Sequence, residues 1–202
     1  MLNFLFHLDF SATPASSING SILVPFIIIC LGLIIRVGLQ RSWGATNIVF
    51  ISSFAIYLFA LVEILFFSIP IIPHEIVDAR QFSHPRMNLV PFVDILSQPK
   101  SIAFRNLFGN IAIFIPLGFF IPALTETKNN YTRAMMIIIS SALAVEVIQY
   151  IGSFVLFKID WKVVDIDDVI MNIFGGMLGL ATYLITSKLL MTRKKQKSTC
   201  ME

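Results

Sequence analysis

Apolar residues run along this chain in five long blocks, separated by short polar stretches and by one long one. The blocks fall at roughly 21–39, 47–70, 104–123, 134–152 and 166–190. Each is close to the ~20 residues that a helix needs to cross the ~30 Å hydrocarbon core of a bilayer. The pattern predicts an all-α fold, a polytopic transmembrane helical bundle of about five spans. The chain then divides into an N-terminal interfacial segment, 1–20, a transmembrane domain, 21–190, and a basic tail, 191–202, whose run RKKQKSTCME is read as disordered. The opening MLNFLFHLDFSATPASS has no Lys or Arg before its short apolar run, so it is not read as a cleavable signal.

Composition removes the competing classes. Of 202 residues, 56% are hydrophobic and 13% charged, about half the charged fraction of a soluble domain. A disordered chain and an ordinary cytosolic enzyme are excluded on that ground. There are only two cysteines, Cys30 in an apolar run and Cys200 in the tail, which excludes a disulfide scaffold. The net charge of +3 is informative only through its placement. Arg36, Arg41, Lys128, Arg133, Lys188, Arg193, Lys194, Lys195 and Lys197 flank one set of span ends. The opposite set carries Arg80, Arg86, Lys100, Arg105, Lys158 and Lys162 among acids. Cytoplasmic flanks carry the excess of Lys and Arg, so the expected topology is N-out and C-in, with a long outer loop over 73–103. No nucleic-acid partner follows from this charge; the basic tail suits anionic inner-leaflet lipid.

Polar groups inside apolar spans are costly and usually face the protein interior or a wet cavity. Glu63, Asn110, Glu146 and Asn172 each lie in a different span, at depths on the order of 6–10 Å from the outer surface at 1.5 Å per residue. Helical spacing adds neighbours: Glu146 and Gln149 share a face, as do Asn106 and Asn110. In DIDDVIMNIFGGMLG the residues Asp165, Asp168, Asn172, Gly176 and Gly179 recur at steps of three or four and form one stripe. Gly175 and Gly179 make a small-xxx-small pair that lets another helix approach closely. Asp167 points away from this stripe and is expected to be solvated. In the loop, HPRMNLVPFVDIL has two proline-restricted steps and should be extended. Its apolar residues suit the membrane interface and would hold Arg86 and Asn88 over the polar cluster, with Arg86 as an anion-binding candidate because of its planar fork.

These segments resemble one family. Arg86 followed by NLVPF, then Asn110 and IAIF with Ile115, Pro116, Leu117 and Gly118, then Glu146 and VIQ, then DIDDVIMNIFGG occur in the order found in VanZ-like membrane proteins. Those proteins are associated with resistance to the lipoglycopeptide teicoplanin. The motif core covers about residues 80–185. The family commonly has Arg three residues before the first Asp of DIDD, and this chain has Lys162, which keeps the charge without the fork. The resemblance implies a multi-pass protein of the bacterial cell membrane with a role at the cell envelope. It implies no catalytic mechanism.

The expected ligand-binding set is Arg86, Asn88, Asn106, Asn110, Glu146, Gln149, Asp165, Asp168 and Asn172, enclosing a pocket open to the outer leaflet. Plain alternatives stand beside it. Asp165 and Asp168 suit N-capping and the helix dipole, and the asparagines suit interhelical hydrogen bonds of about 0.6 kcal/mol each. A buried Glu146 demands a partner or a proton. The histidines show no ligand spacing and the DIDD run lacks the glycine and final glutamate of a calcium loop, so no metal and no cofactor is expected. The pocket suits an amphiphile with a polar head, such as a lipid-linked cell-wall precursor or the acylated antibiotic, alongside membrane lipids. The alternative is an intramembrane enzyme using Glu146 or Asp168 as acid or base. The absence of a nucleophile motif such as GxSxG favours binding.

Overall fold

The computed structural model describes residues 17–18, 20–67, 69–70, 87–125, 131–157 and 163–199. Five helices are long and apolar enough to cross a membrane: Gly20–Gln40, Ala45–Phe66, Lys100–Leu124, Tyr131–Phe154 and Ile166–Arg193. The all-α polytopic class therefore holds. Arg86, Lys162 and most of the segment 1–20 lie outside the described residues. The chain forms two compact units, Met1–Ser83 and His84–Glu202.

In the first unit, α1 (Val24–Gln40) follows a 3-10 turn, Gly20–Leu23, and is joined by a four-residue connection to α2 (Ala45–Phe66). The reversal is made by a Schellman end to α1: Trp43 N–H donates to the Gly38 carbonyl at 2.8 Å and Ser42 N–H to Leu39 at 3.2 Å. Ser42 occupies the left-handed region at φ 52, as the motif requires at that position. Gly38 lets α2 close in, since a Cβ there would lie 2.7 Å from Ile48. β1 (Ser17–Ile18) and β2 (Ile69–Pro70) pair antiparallel across the far ends of the two helices. Glu63 belongs to this unit: its carboxyl covers Gly20, where an added Cβ would meet Cδ at 2.6 Å.

The second unit holds β3 (Met87–Asn88), a short α3 (Val93–Ser97), α4 (Lys100–Leu124), α5 (Tyr131–Ile151) with a terminal π-helical turn, Gly152–Phe157, then β4 (Val164–Asp165) and α6 (Ile166–Thr199). Helices α4 and α6 run parallel in backbone contact. A Cβ on Gly175 would strike the carbonyl of Ile111, on Gly179 that of Ile115, and on Gly118 that of Gly176. The small residues thus remove the side-chain layer that normally separates two helices. Ala134, Ile138 and Ala142 of α5, all fully buried, close the third side with Phe114, and Ile138 packs on Gly176. Farther along, Phe119 and Tyr183 meet edge to face at 6.0 Å. One expectation is corrected: residues 193–199 of the basic tail are helical rather than disordered, because α6 continues to Thr199. Lys, Arg and Gln are good helix formers, and neither Gly nor Pro follows Gly179 to stop the helix.

Candidate functional site

The polar residues of the second unit converge on the first turn of α6. Asp165 is its N-cap, with Oδ1 accepting from the Asp167 N–H at 2.9 Å, which satisfies one of the free donors of a helix start. The same oxygen accepts from Asn88 Nδ2 at 3.0 Å. β3 and β4 pair in parallel, Met87 with Val164 and Asn88 with Asp165, so the loop segment is held beside α6 by both main chain and side chain. From α5, Glu146 Oε2 accepts the Asp165 N–H at 3.1 Å. From α4, Asn110 Nδ2 donates to Asp168 Oδ1 at 2.5 Å.

Five of the residues chosen from the sequence therefore meet at the start of α6 from four segments, as two adjoining hydrogen-bonded groups: Asn88, Asp165 and Glu146 in one, Asn110 and Asp168 in the other. Gln149 is buried one turn beyond Glu146, and Asn172 one turn below Asp168. Asn106 is not brought in. It is exposed and donates to Gln98 Oε1 at 3.2 Å. Arg86 falls outside the described residues, as does Lys162.

The structure corrects the expectation for Asp167. Far from being solvated, it is 1% exposed, and Oδ1 accepts from the Phe92 N–H at 2.7 Å. A helical wheel of α6 alone places Asp167 off the stripe; the turn that covers it comes from 75 residues earlier in the chain. The signal in the sequence is Pro91-Phe92, a tight turn whose free N–H needs an acceptor. Ser153, fully buried in the π-helical turn, is a second polar residue that the motifs did not reveal. Such turns recur at functional sites.

Glu146, Asp165, Asp167 and Asp168 place four carboxylates about the N-terminus of α6, where the helix dipole offsets part of their repulsion. Asp167 Oδ2 and Asn172 Oδ1 are buried with no hydrogen-bond partner among the described residues. Buried acceptors of this kind call for a donor. Among the described residues, no group of three or more His, Cys, Asp or Glu is arranged to hold a metal ion.

The sequence profile of VanZ/LLP1 matches residues 54–187. The chain belongs to the VanZ/LLP1 family. The match takes in part of α2 and the whole of the network at α6. This VanZ/LLP1 chain is also 29% identical over 134 residues to "Protein VanZ" of Enterococcus faecium, an alignment covering 66% of this chain and 73% of that protein. No solved structure matches it significantly. Family membership and five apolar helices together make it a multi-pass protein of the bacterial cell membrane.

Proposed function

We propose that this VanZ/LLP1 protein supports resistance to lipoglycopeptide antibiotics of the teicoplanin type by binding an amphiphile. The ligand is the acylated antibiotic or a lipid-linked cell-wall precursor, with its polar head at the start of α6. The observation that carries the reading is the network itself. Asn88, Asn110, Glu146, Asp165 and Asp168 meet at one end of three apolar helices, beside buried acceptors that lack donors among the described residues. In the proposed topology the N-terminus is outside and the C-terminus cytoplasmic, so this end faces the outer leaflet, where such ligands reside. Arg86 supplies the anion-binding contact in this reading.

Binding is preferred to catalysis because the acid–base candidates already hold structure: Glu146 accepts a backbone N–H and Asp168 an asparagine amide. A general base needs a carboxylate open to a substrate proton. The test is expression in a susceptible Gram-positive host, followed by inhibitory concentrations of an acylated glycopeptide and of one without the acyl chain. The expected result is protection against the acylated compound, lost in Asp168→Ala at normal membrane levels. Equal protection by the Ala variant refutes the site.

A further inference from the structure

The segment before α4 has properties that the polar network does not require. Leu89, Val90, Phe92, Val93 and Leu96 are all exposed, Leu96 to 83%. In water this would be an apolar patch of the kind that soluble surfaces avoid. The backbone at its tip is equally unusual. The Val90 N–H donates to Asn88 Oδ1 at 3.3 Å, Pro91 has no N–H to satisfy, and the Phe92 N–H donates to the Asp167 carboxylate at 2.7 Å. Three successive positions thus present no free donor. A turn facing water can leave such groups to solvent, whereas one in hydrocarbon must satisfy them within the protein. Phe92 holds φ 68, a left-handed conformation uncommon for a bulky L residue. That conformation delivers its N–H to Asp167.

We propose that residues 87–97 form a wedge inserted into one leaflet, with lipid acyl chains as its partner, and that Asp167 is the residue that positions it. The wedge is tied at two points, Asn88 to Asp165 and Phe92 to Asp167, both at the first turn of α6. Its depth is therefore fixed relative to the start of that span. Asp167 takes the one N–H at the tip that neither proline chemistry nor Asn88 removes. This explains a buried carboxylate outside the polar stripe.

The test uses the full chain with Cys30→Ser and Cys200→Ser, carrying a single environment-sensitive nitrobenzoxadiazole label at Leu96→Cys, in phosphatidylcholine vesicles, which hold no anionic lipid to draw the basic tail to the surface. Expected are blue-shifted emission, quenching by nitroxides on lipid chains and protection from aqueous iodide; a label at Gln196→Cys should behave oppositely. Emission and iodide quenching at 96 equal to those at 196 overturn the proposal. So does shielding from both quenchers, which would mean that protein covers the surface. Asp167→Ala should raise iodide quenching at 96 severalfold, while Asp167→Asn, which retains a carbonyl oxygen for Phe92, should preserve the depth. Equal displacement by Asn and Ala, or none by either, removes the positioning role. Without any change at 167, the Phe92 amide should exchange slowly with solvent in the unlabelled protein, and fast exchange also refutes the latch.

Discussion

Replacing Glu146 separates a binder from an enzyme, and the structure sets the size of the effect. Glu146 is 5% exposed and its Oε2 receives the Asp165 N–H at 3.1 Å. Glu146→Ala leaves that donor buried without an acceptor, a loss of about 1–3 kcal/mol. Truncating a packed side chain to its Cβ adds about 1 kcal/mol or more for the space left behind. The sum, roughly 2–4 kcal/mol, falls on the residue that caps α6 and receives Asn88. Against a total stability of about 5–15 kcal/mol, the Ala variant should still insert and fold, with the α6 end loosened. Glu146→Gln keeps an oxygen at the same reach and should stay within about 1 kcal/mol of wild type. The assay pairs thermal unfolding of the detergent-purified protein with the inhibitory concentration of an acylated glycopeptide, at matched membrane levels. A binder gives partial protection with Gln and none with Ala. An enzyme using Glu146 as general base loses about 100- to 10,000-fold of its turnover with Gln as well. Equal loss in both variants, together with a chemically altered envelope lipid found only with wild type, would refute binding; an Ala variant as stable and protective as wild type would refute the network.

Four further outcomes are expected. Gly179→Val places side-chain atoms against the Ile115 carbonyl and should lower stability by about 1–3 kcal/mol or more through overpacking, read as a lower unfolding temperature; an unchanged melt would contradict the backbone contact of α4 and α6. Asn106→Ala, at an exposed position, should stay within about 0.5 kcal/mol of wild type, whereas Asn110→Ala removes the donor to Asp168 and should cost about 1–3 kcal/mol; the reverse order would misplace the site. Arg86→Lys should lose much of the protection at normal membrane levels if the guanidinium fork binds an anion, and full activity would remove Arg86 from the site. A reporter after Glu202 should be cytoplasmic and a cysteine at Gln81, in the proposed outer loop but outside the wedge, should react with an impermeant reagent from outside; failure of either reverses the proposed topology.

The five helices are legible in the sequence because the code for crossing lipid is long and redundant: some twenty apolar residues must occur together. The spacing of Gly175 and Gly179 was equally readable, since small residues four apart can serve close helix approach. Which helix approaches was not, because that depends on Ile111 and Ile115 offering their carbonyls from α4. Asn106 shows the limit of periodicity. It shares a helical face with Asn110, but Asn110 already lies opposite Asp168 in the first turn of α6. A residue one turn earlier on α4 has passed the end of its partner, and it turns to Gln98 instead. Asp167 shows the converse, since its burial is imposed by a distant turn rather than by its own helix.

The convergence on α6 also orders the making of the protein. Asn88, Phe92, Asn110 and Glu146 precede α6 in the chain, and each finds a partner at residues 165–168. During synthesis, β3, α4 and α5 emerge before those partners exist. The site therefore has no half-built native form. Its assembly waits for the final span to leave the ribosome, and a chain ending before Asp165 carries donors and acceptors into lipid with no native counterpart there.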